Sequence, residues 1–420
     1  MPIFQVIAIL ITVTAVFSYL NYRFFKLPTT IGVMLISLLV SVGLIIVGGF
    51  FHGAELFTNK FLRQIDFDYA LMHGMLSFLL FAGALHVNLN DLAEQKGIIS
   101  ILATLGVAFS TFIVGTVLYC LFRFMGLDIS YIYCLLFGAL ISPTDPIAVM
   151  GMLKSARVPK SLEVQIAGES LFNDGVGVVV FIVLAEMAVS NQGFALGRIL
   201  LLFAEEALGG VVFGLVIGWA AYLLIKSVDN YEVEILLTLA LVMGGYTLAI
   251  ALHLSGPISM VIAGLLIGNR GRHFAMSEET RENLDTFWEL VDGILNALLF
   301  VLIGLEVLVL SFRLNFFLAG MCAIAIVLLA RWLSVKIPIT IMGFWTRYEP
   351  GTCAIMTWGG LRGGIPVALA LSLPAGRERE VLLAVTYVVV VFSILGQGLT
   401  IRKVIEKRIK TKTVTTSDLP

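Results

Sequence analysis

Charge is what this 420-residue sequence has least of. Asp, Glu, Lys and Arg make up 13% of it, about half the share of an ordinary soluble domain. So few charges cannot cover a water-facing surface, which excludes soluble enzymes, secreted scaffolds and disordered regulators. Cysteine is scarce as well. Cys120, Cys134, Cys322 and Cys353 lie far apart inside apolar runs without any CxxC, and they read as inert buried thiols. The remaining charges sum to a formal net of −1, which carries no footprint for nucleic acid. No P-loop, GxSG or HExxH occurs, and Ser170 has no histidine near it in sequence. A primary pump and an intramembrane hydrolase are therefore excluded, and no cofactor is expected. What the chain has in excess is apolar, at 59% hydrophobic residues with 40 glycines and 29 phenylalanines.

Apolar segments long enough to cross about 30 Å of hydrocarbon recur almost without pause. About thirteen are predicted, near 4–22, 30–51, 69–89, 97–125, 130–153, 161–190, 198–226, 232–254, 256–269, 285–311, 314–345, 350–374 and 379–401. The ninth is short enough to be partly re-entrant. The runs are continuous rather than alternating with period two, so an all-α polytopic bundle is expected and not a barrel. Residues 1–401 form the transmembrane unit and 402–420 a short tail. The first segment lacks a small-x-small cleavage site and reads as a retained span. With the N-terminus outside, seventeen Lys and Arg fall on the inner side, six of them in the tail. Seven fall on the outer side: Lys60, Arg63, Arg123, Arg198, Arg313, Arg377 and Arg379. That asymmetry predicts N-out and C-in.

Ionisable residues inside a membrane are costly and mark function by default. In the fifth span, Ile141-Ser142-Pro143-Thr144-Asp145-Pro146-Ile147 holds two prolines three apart, so the helix cannot run through. Carbonyls freed at this break are candidate cation ligands, and Asp145 is placed beside a half-helix N-terminus. The sixth span carries Glu169-Ser170-Leu171-Phe172-Asn173-Asp174. Glu169 and Asn173 are i,i+4 neighbours, as are Ser170 and Asp174, so two adjacent columns of oxygen-bearing side chains share one helical face. Hard oxygen ligands of this kind suit small cations such as Na⁺. Two arginines answer this acidity. Arg331 lies deep in the eleventh span. Arg362 sits in Trp358-Gly359-Gly360-Leu361-Arg362-Gly363-Gly364-Ile365-Pro366, a predicted second broken helix in the twelfth. For Arg362, neutralisation of a helix end and a direct role toward the ion both stand. Spans five and twelve cross in opposite senses, and paired interruptions in inverted halves point to a secondary-transporter site. His73 and His86, which bracket the third span, match no metal spacing. Glu205, Glu206, Asp292 and Glu306 also sit in or near apolar runs, without an assigned role.

Thr144-Asp145-Pro146, Glu169-Ser170-Leu171-Phe172-Asn173-Asp174 and Gly359-Gly360-Leu361-Arg362-Gly363 resemble, in order and depth, the TDP, ESLxND and GGLRG elements of the sodium/proton exchanger family. The resemblance is to its NhaP type of bacteria and archaea and their eukaryotic NHE relatives, and it covers nearly the whole chain. It implies a homodimer with a moving core of spans 4–6 and 11–13 (about 97–190 and 314–401) against a scaffold. It implies Asp174 as the carrier of Na⁺ or H⁺, with Ser170 and the Thr144 backbone as co-ligands. Asn173 and Asp145 would organise the crossing, and Glu169 would pair with Arg331. Many archaeal relatives carry a glutamate in a third-span LLFEG segment; here Leu79-Leu80-Phe81-Ala82-Gly83 puts Ala82 in its place. Eukaryotic exchangers carry a long tail, whereas this chain stops roughly twenty residues past its last span, so a prokaryotic plasma membrane is expected. Asn173 beside the carrier cannot titrate, which predicts one proton per monovalent cation and electroneutral exchange. Na⁺ or Li⁺ is the expected cation, with K⁺/H⁺ exchange as the alternative. A gated cation channel is the competitor from another class; it would need no titrating carboxylate.

Overall fold

A computed structural model describes residues 3–48, 74–155, 158–190, 196–308, 313–344, 348–349 and 351–417. Lys60, Arg63, His73, Arg157 and Arg347 lie outside the described residues, as does most of the segment leading into the third predicted span. The described residues are helical throughout and form no strand. In chain order the helices are α1 (Ile3–Leu20), α2 (Thr29–Gly48), α3 (Leu76–Leu85), the short α4 (Leu89–Glu94), α5 (Lys96–Phe124, with a wide turn at Leu102–Gly106), α6 (Tyr131–Ile141), α7 (Ile147–Ser155) and α8 (Lys160–Ser190). There follow α9 (Leu196–Lys226), α10 (Tyr231–Ala251), α11 (Gly256–Leu266), α12 (Glu278–Glu306), α13 (Leu314–Met342), α14 (Thr352–Gly359), α15 (Ile365–Leu371), α16 (Arg377–Val391) and α17 (Gly398–Ser417).

Among the described residues, nine helical stretches are long and apolar enough to cross a membrane, and Leu76–Leu85 and Tyr131–Ile141 are shorter apolar helices. The two predicted interruptions separate α6 from α7 and α14 from α15. Proline accounts for the first, since Pro143 and Pro146 donate no amide hydrogen. Glycine accounts for the second, because Gly359-Gly360 and Gly363-Gly364 carry no side chain to hold a helix against competing contacts.

The buried side chains form two apolar clusters. The larger joins α5–α8 and α13–α17 to α2 and the last third of α12; the smaller joins α3, the end of α9, the first half of α12, α10 and α11. Phe172 and Ile365 pack against both. The outward surface is also apolar, with Phe112, Leu208, Val212, Trp219, Leu236 and Phe317 exposed, as lipid contact requires. This corrects the reading of the four cysteines as buried. Cys134 is buried and Cys353 partly so, but Cys120 and Cys322 are exposed. In a bilayer an apolar run has a lipid-facing side, where a thiol behaves as a small hydrophobe.

Candidate functional site

The two breaks meet. The Asp145 amide donates to the Leu361 carbonyl at 2.8 Å, an isolated antiparallel bridge between the two non-helical stretches. Pro143 and Pro146 leave carbonyls without helical partners, and the Arg362 guanidinium takes up those of Ser142 (2.6 Å) and Pro143 (2.7 Å). These two carbonyls are therefore engaged by the protein. The carbonyls expected to be freed here are thus met by an arginine 220 residues from Ser142 in sequence. At the second break, the Arg362 amide donates to Ser393 Oγ (2.9 Å) and Gln397 Nε2 donates to the Trp358 carbonyl (3.0 Å). Both partners come from the wide turn Phe392–Gln397, whose extra residue aims polar side chains inward.

Helix α8 splits its two polar columns. Glu169 and Asn173 are each 1% exposed and point into the larger cluster. Glu169 forms a two-pronged ion pair with Arg331, and Arg331 also donates to the Met356 carbonyl at 3.1 Å. Asn173 braces the first break. Its Oδ1 accepts from the Thr144 amide (3.3 Å) and its Nδ2 donates to Thr144 Oγ1 (2.9 Å), which in turn lies 3.0 Å from Ser170 Oγ. Ser170 and Asp174, one step of about 100° further round the helix, line a cavity of about 480 Å³. The cavity runs from a polar mouth at Asn88, Asp91, Lys160 and Glu163 down to Pro143, Asp145 and Asp174. Asp91 and Lys160 are ion-paired at 2.6 Å across that mouth. Thus the structure brings together Thr144, Asn173 and Ser170 by hydrogen bonds, and Asp174 and Asp145 by a common cavity. It sets Glu169 with Arg331 apart from them.

Close approach fixes two of the glycines. A Cβ on Gly363 would lie 2.5 Å from Asp145 Oδ2, and one on Gly360 would lie 2.7 Å from Arg331 Nε. Gly363→Ala is expected to cost about 1–3 kcal/mol through overpacking against Asp145, and a melting curve of the purified variant checks this.

Ala82 is buried and outside the cavity; Leu79, Leu80 and Gly83 are the parts of its segment that line it. The carboxylate facing the cavity from that side is Asp292, with Asn296 one turn on. Sequence reasoning gave this pair no role. Its signal was available as an i,i+4 polar pair just where α12 turns apolar. His86, at the end of α3, holds the Ala82 carbonyl at 2.9 Å and lies 3.8 Å from Asp285.

A helical membrane bundle in which two interrupted helices meet beside a cavity-facing carboxylate has the architecture of a secondary transporter. The model for "Sodium/hydrogen exchanger, transmembrane" matches residues 10–407. The chain belongs to the sodium/hydrogen exchanger family. It is 49% identical over 410 residues to the Na⁺/H⁺ antiporter NhaP of Pseudomonas aeruginosa, covering 96% of each chain. It is 34% identical over 411 residues to the antiporter NhaH of Halobacillus aidingensis, again covering 96% of each. In fold it is similar to the sodium proton antiporter of Methanocaldococcus jannaschii, with a TM-score of 0.75 at 19% identity over 97% of this chain and 99% of that one.

Proposed function

We propose that the protein exchanges Na⁺ (or Li⁺) for H⁺ by alternating access, one cation against one proton, with both competing for Asp174. The observation that carries this reading is the position of Asp174. It is a carboxylate at the base of a cavity, beside Ser170 and a pair of helix breaks where Arg362 holds the Ser142 and Pro143 carbonyls. With Glu169 bound to Arg331, and Asn173 unable to titrate and held on Thr144, Asp174 is the acid of the Glu169–Asp174 stretch left to alternate between proton and cation. The naming of the relatives from Pseudomonas and Halobacillus as Na⁺/H⁺ antiporters supports the same pair of ions.

Cation ligation would come from Asp174, Ser170 and the Thr144 backbone, completed by water. Asp145 and Asn173 would hold the crossing, and Arg362 would compensate the ends of the broken helices. An uncompensated carboxylate in the membrane interior is costly, so the empty, ionised site resists crossing and the two fluxes are coupled. We read the chain as about thirteen spans in two inverted repeats. Their core (about 97–190 and 314–401) works against a scaffold that forms a homodimer in a prokaryotic plasma membrane, N-terminus outside and tail within. On that orientation the cavity is the inward-facing one.

The test is proton flux in proteoliposomes driven in turn by Na⁺, Li⁺ and K⁺ gradients. Na⁺ or Li⁺ is expected to drive it; flux driven by K⁺ alone would make the protein a K⁺/H⁺ antiporter, and currents without obligatory proton movement would make it a channel. A second expectation is electroneutrality. With the potential clamped by valinomycin and K⁺, rates should not change with imposed voltage, and acceleration by voltage would refute the 1:1 ratio. Competition further predicts that the apparent KM for Na⁺ rises as pH falls while the maximal rate holds.

A further inference from the structure

Asp292 and Asn296 stand on α12, which packs against α2, α3 and α10 and not on the helix that bears Asp174. Both residues line the 480 Å³ cavity. Asn296 is 2% exposed; its Nδ2 donates to the Asp292 carbonyl at 2.9 Å, and its Oδ1 has no hydrogen-bond partner. A buried amide oxygen left unpaired is costly, by about 1–3 kcal/mol, and such an oxygen on a cavity wall calls for a ligand. Beside it stands a carboxylate that is only partly buried. An anionic oxygen and a neutral one, on adjacent residues of one cavity wall, make the half-shell of a hard monovalent cation.

We propose that Asp292 and Asn296 form a second, transient cation site on the static wall of the cavity, occupied before the cation passes to Asp174. The site rests on the exchange reading above, since it supplies the same ion to the same carrier. Two protein oxygens leave most of the coordination to water, so the site holds a hydrated ion weakly and releases it readily. Its charge surroundings set the direction of supply. The pair also lines a second cavity of about 760 Å³ whose wall includes Lys26 and Arg402. Arg402 is paired with Glu406 at 2.9 Å, so Lys26 is the cation that makes that side less favourable for Na⁺. The mouth of the first cavity carries Asp91 and Glu163 with Lys160 bound to Asp91, and it is the favourable approach.

The test uses the full-length protein. In detergent, ²³Na line broadening reports weak Na⁺ binding whether or not transport occurs. Asp174→Asn is expected to retain a Na⁺-binding component. That component should disappear in Asp174→Asn/Asp292→Asn and in Asp174→Asn/Asn296→Leu, and persist in Asp174→Asn/Glu163→Gln. In proteoliposomes, Asp292→Asn and Asn296→Leu should each raise the KM for Na⁺ by about three- to tenfold with the maximal rate within about twofold, the pattern of a lost binding contact. Glu163→Gln, with the same change of charge at the mouth, should shift KM less. Equal shifts from Glu163→Gln and Asp292→Asn with none from Asn296→Leu would reduce the effect to diffuse electrostatics and overturn the site, as would identical broadening in Asp174→Asn and its Asp292 and Asn296 doubles. Failure of the exchange reading looks different: wild-type liposomes would move no protons on a Na⁺ gradient, whatever the NMR pattern.

Discussion

Replacing Asp174 by asparagine is expected to abolish Na⁺-driven proton flux while the protein still folds, runs as a single species on gel filtration and keeps its helix content. The substitution is nearly isosteric, and the side chain lies against the cavity, so no packing is lost. What is lost is the only property that the proposed cycle demands of the residue, a group that bears either a proton or a cation. Asparagine is permanently neutral and cannot release a proton in exchange for an ion. The neutral variant should also show no burst of proton release on adding Na⁺ to the detergent-solubilised protein at low buffer strength. Exchange retained at even a tenth of the wild-type rate would mean that the carrier is another group, with Asp145 the first to examine, since it lines the same cavity.

Removing one half of the Glu169–Arg331 pair should have the largest effect on stability. Both side chains are almost wholly buried, at 1% and 8% side-chain exposure, and the guanidinium is bonded to both carboxylate oxygens and to the Met356 carbonyl. Arg331→Ala leaves an uncompensated carboxylate inside the bundle and Glu169→Gln an uncompensated guanidinium, and a loss of about 3–5 kcal/mol is expected from each. The double variant Glu169→Gln/Arg331→Met, which buries no charge, should be more stable than either single one. Thermal unfolding in detergent measures the order. If the double variant were the least stable of the three, the pair would contribute by direct attraction rather than by mutual neutralisation. Transport by the double variant is expected to persist at a reduced rate, because Asp174, Ser170 and Thr144 remain in place.

Sequence made the breaks and the buried charges legible because both follow from local chemistry. Two prolines three apart end a helix wherever they stand, and a carboxylate amid apolar neighbours stands out at any depth. The family resemblance likewise came from contiguous motifs. What stayed hidden depends on rotation and on partners far along the chain. Periodicity put Glu169, Ser170, Asn173 and Asp174 on one face, but tertiary packing decides which column turns to Arg331 and Thr144 and which to the cavity. The carbonyls of Ser142 and Pro143 looked open because nothing local closes them; Arg362 does so from beyond seven spans' worth of chain. Asp292 and Asn296 looked ordinary near the end of the polar stretch of α12, and only the enclosing helices give them a cavity to face. Cys120 and Cys322 were misplaced for a related reason, since apolar surroundings in sequence do not distinguish protein from lipid.

The single ladder rung between Asp145 and Leu361 carries a mechanical consequence. A cylinder that is cut bends at the cut, yet here each severed rod is spliced to the other by that rung and by the guanidinium spanning them. Their amides should therefore resist deuterium uptake as strongly as those of unbroken helix. Any displacement of one rod therefore drags its mate, so the two breaks are expected to shift together.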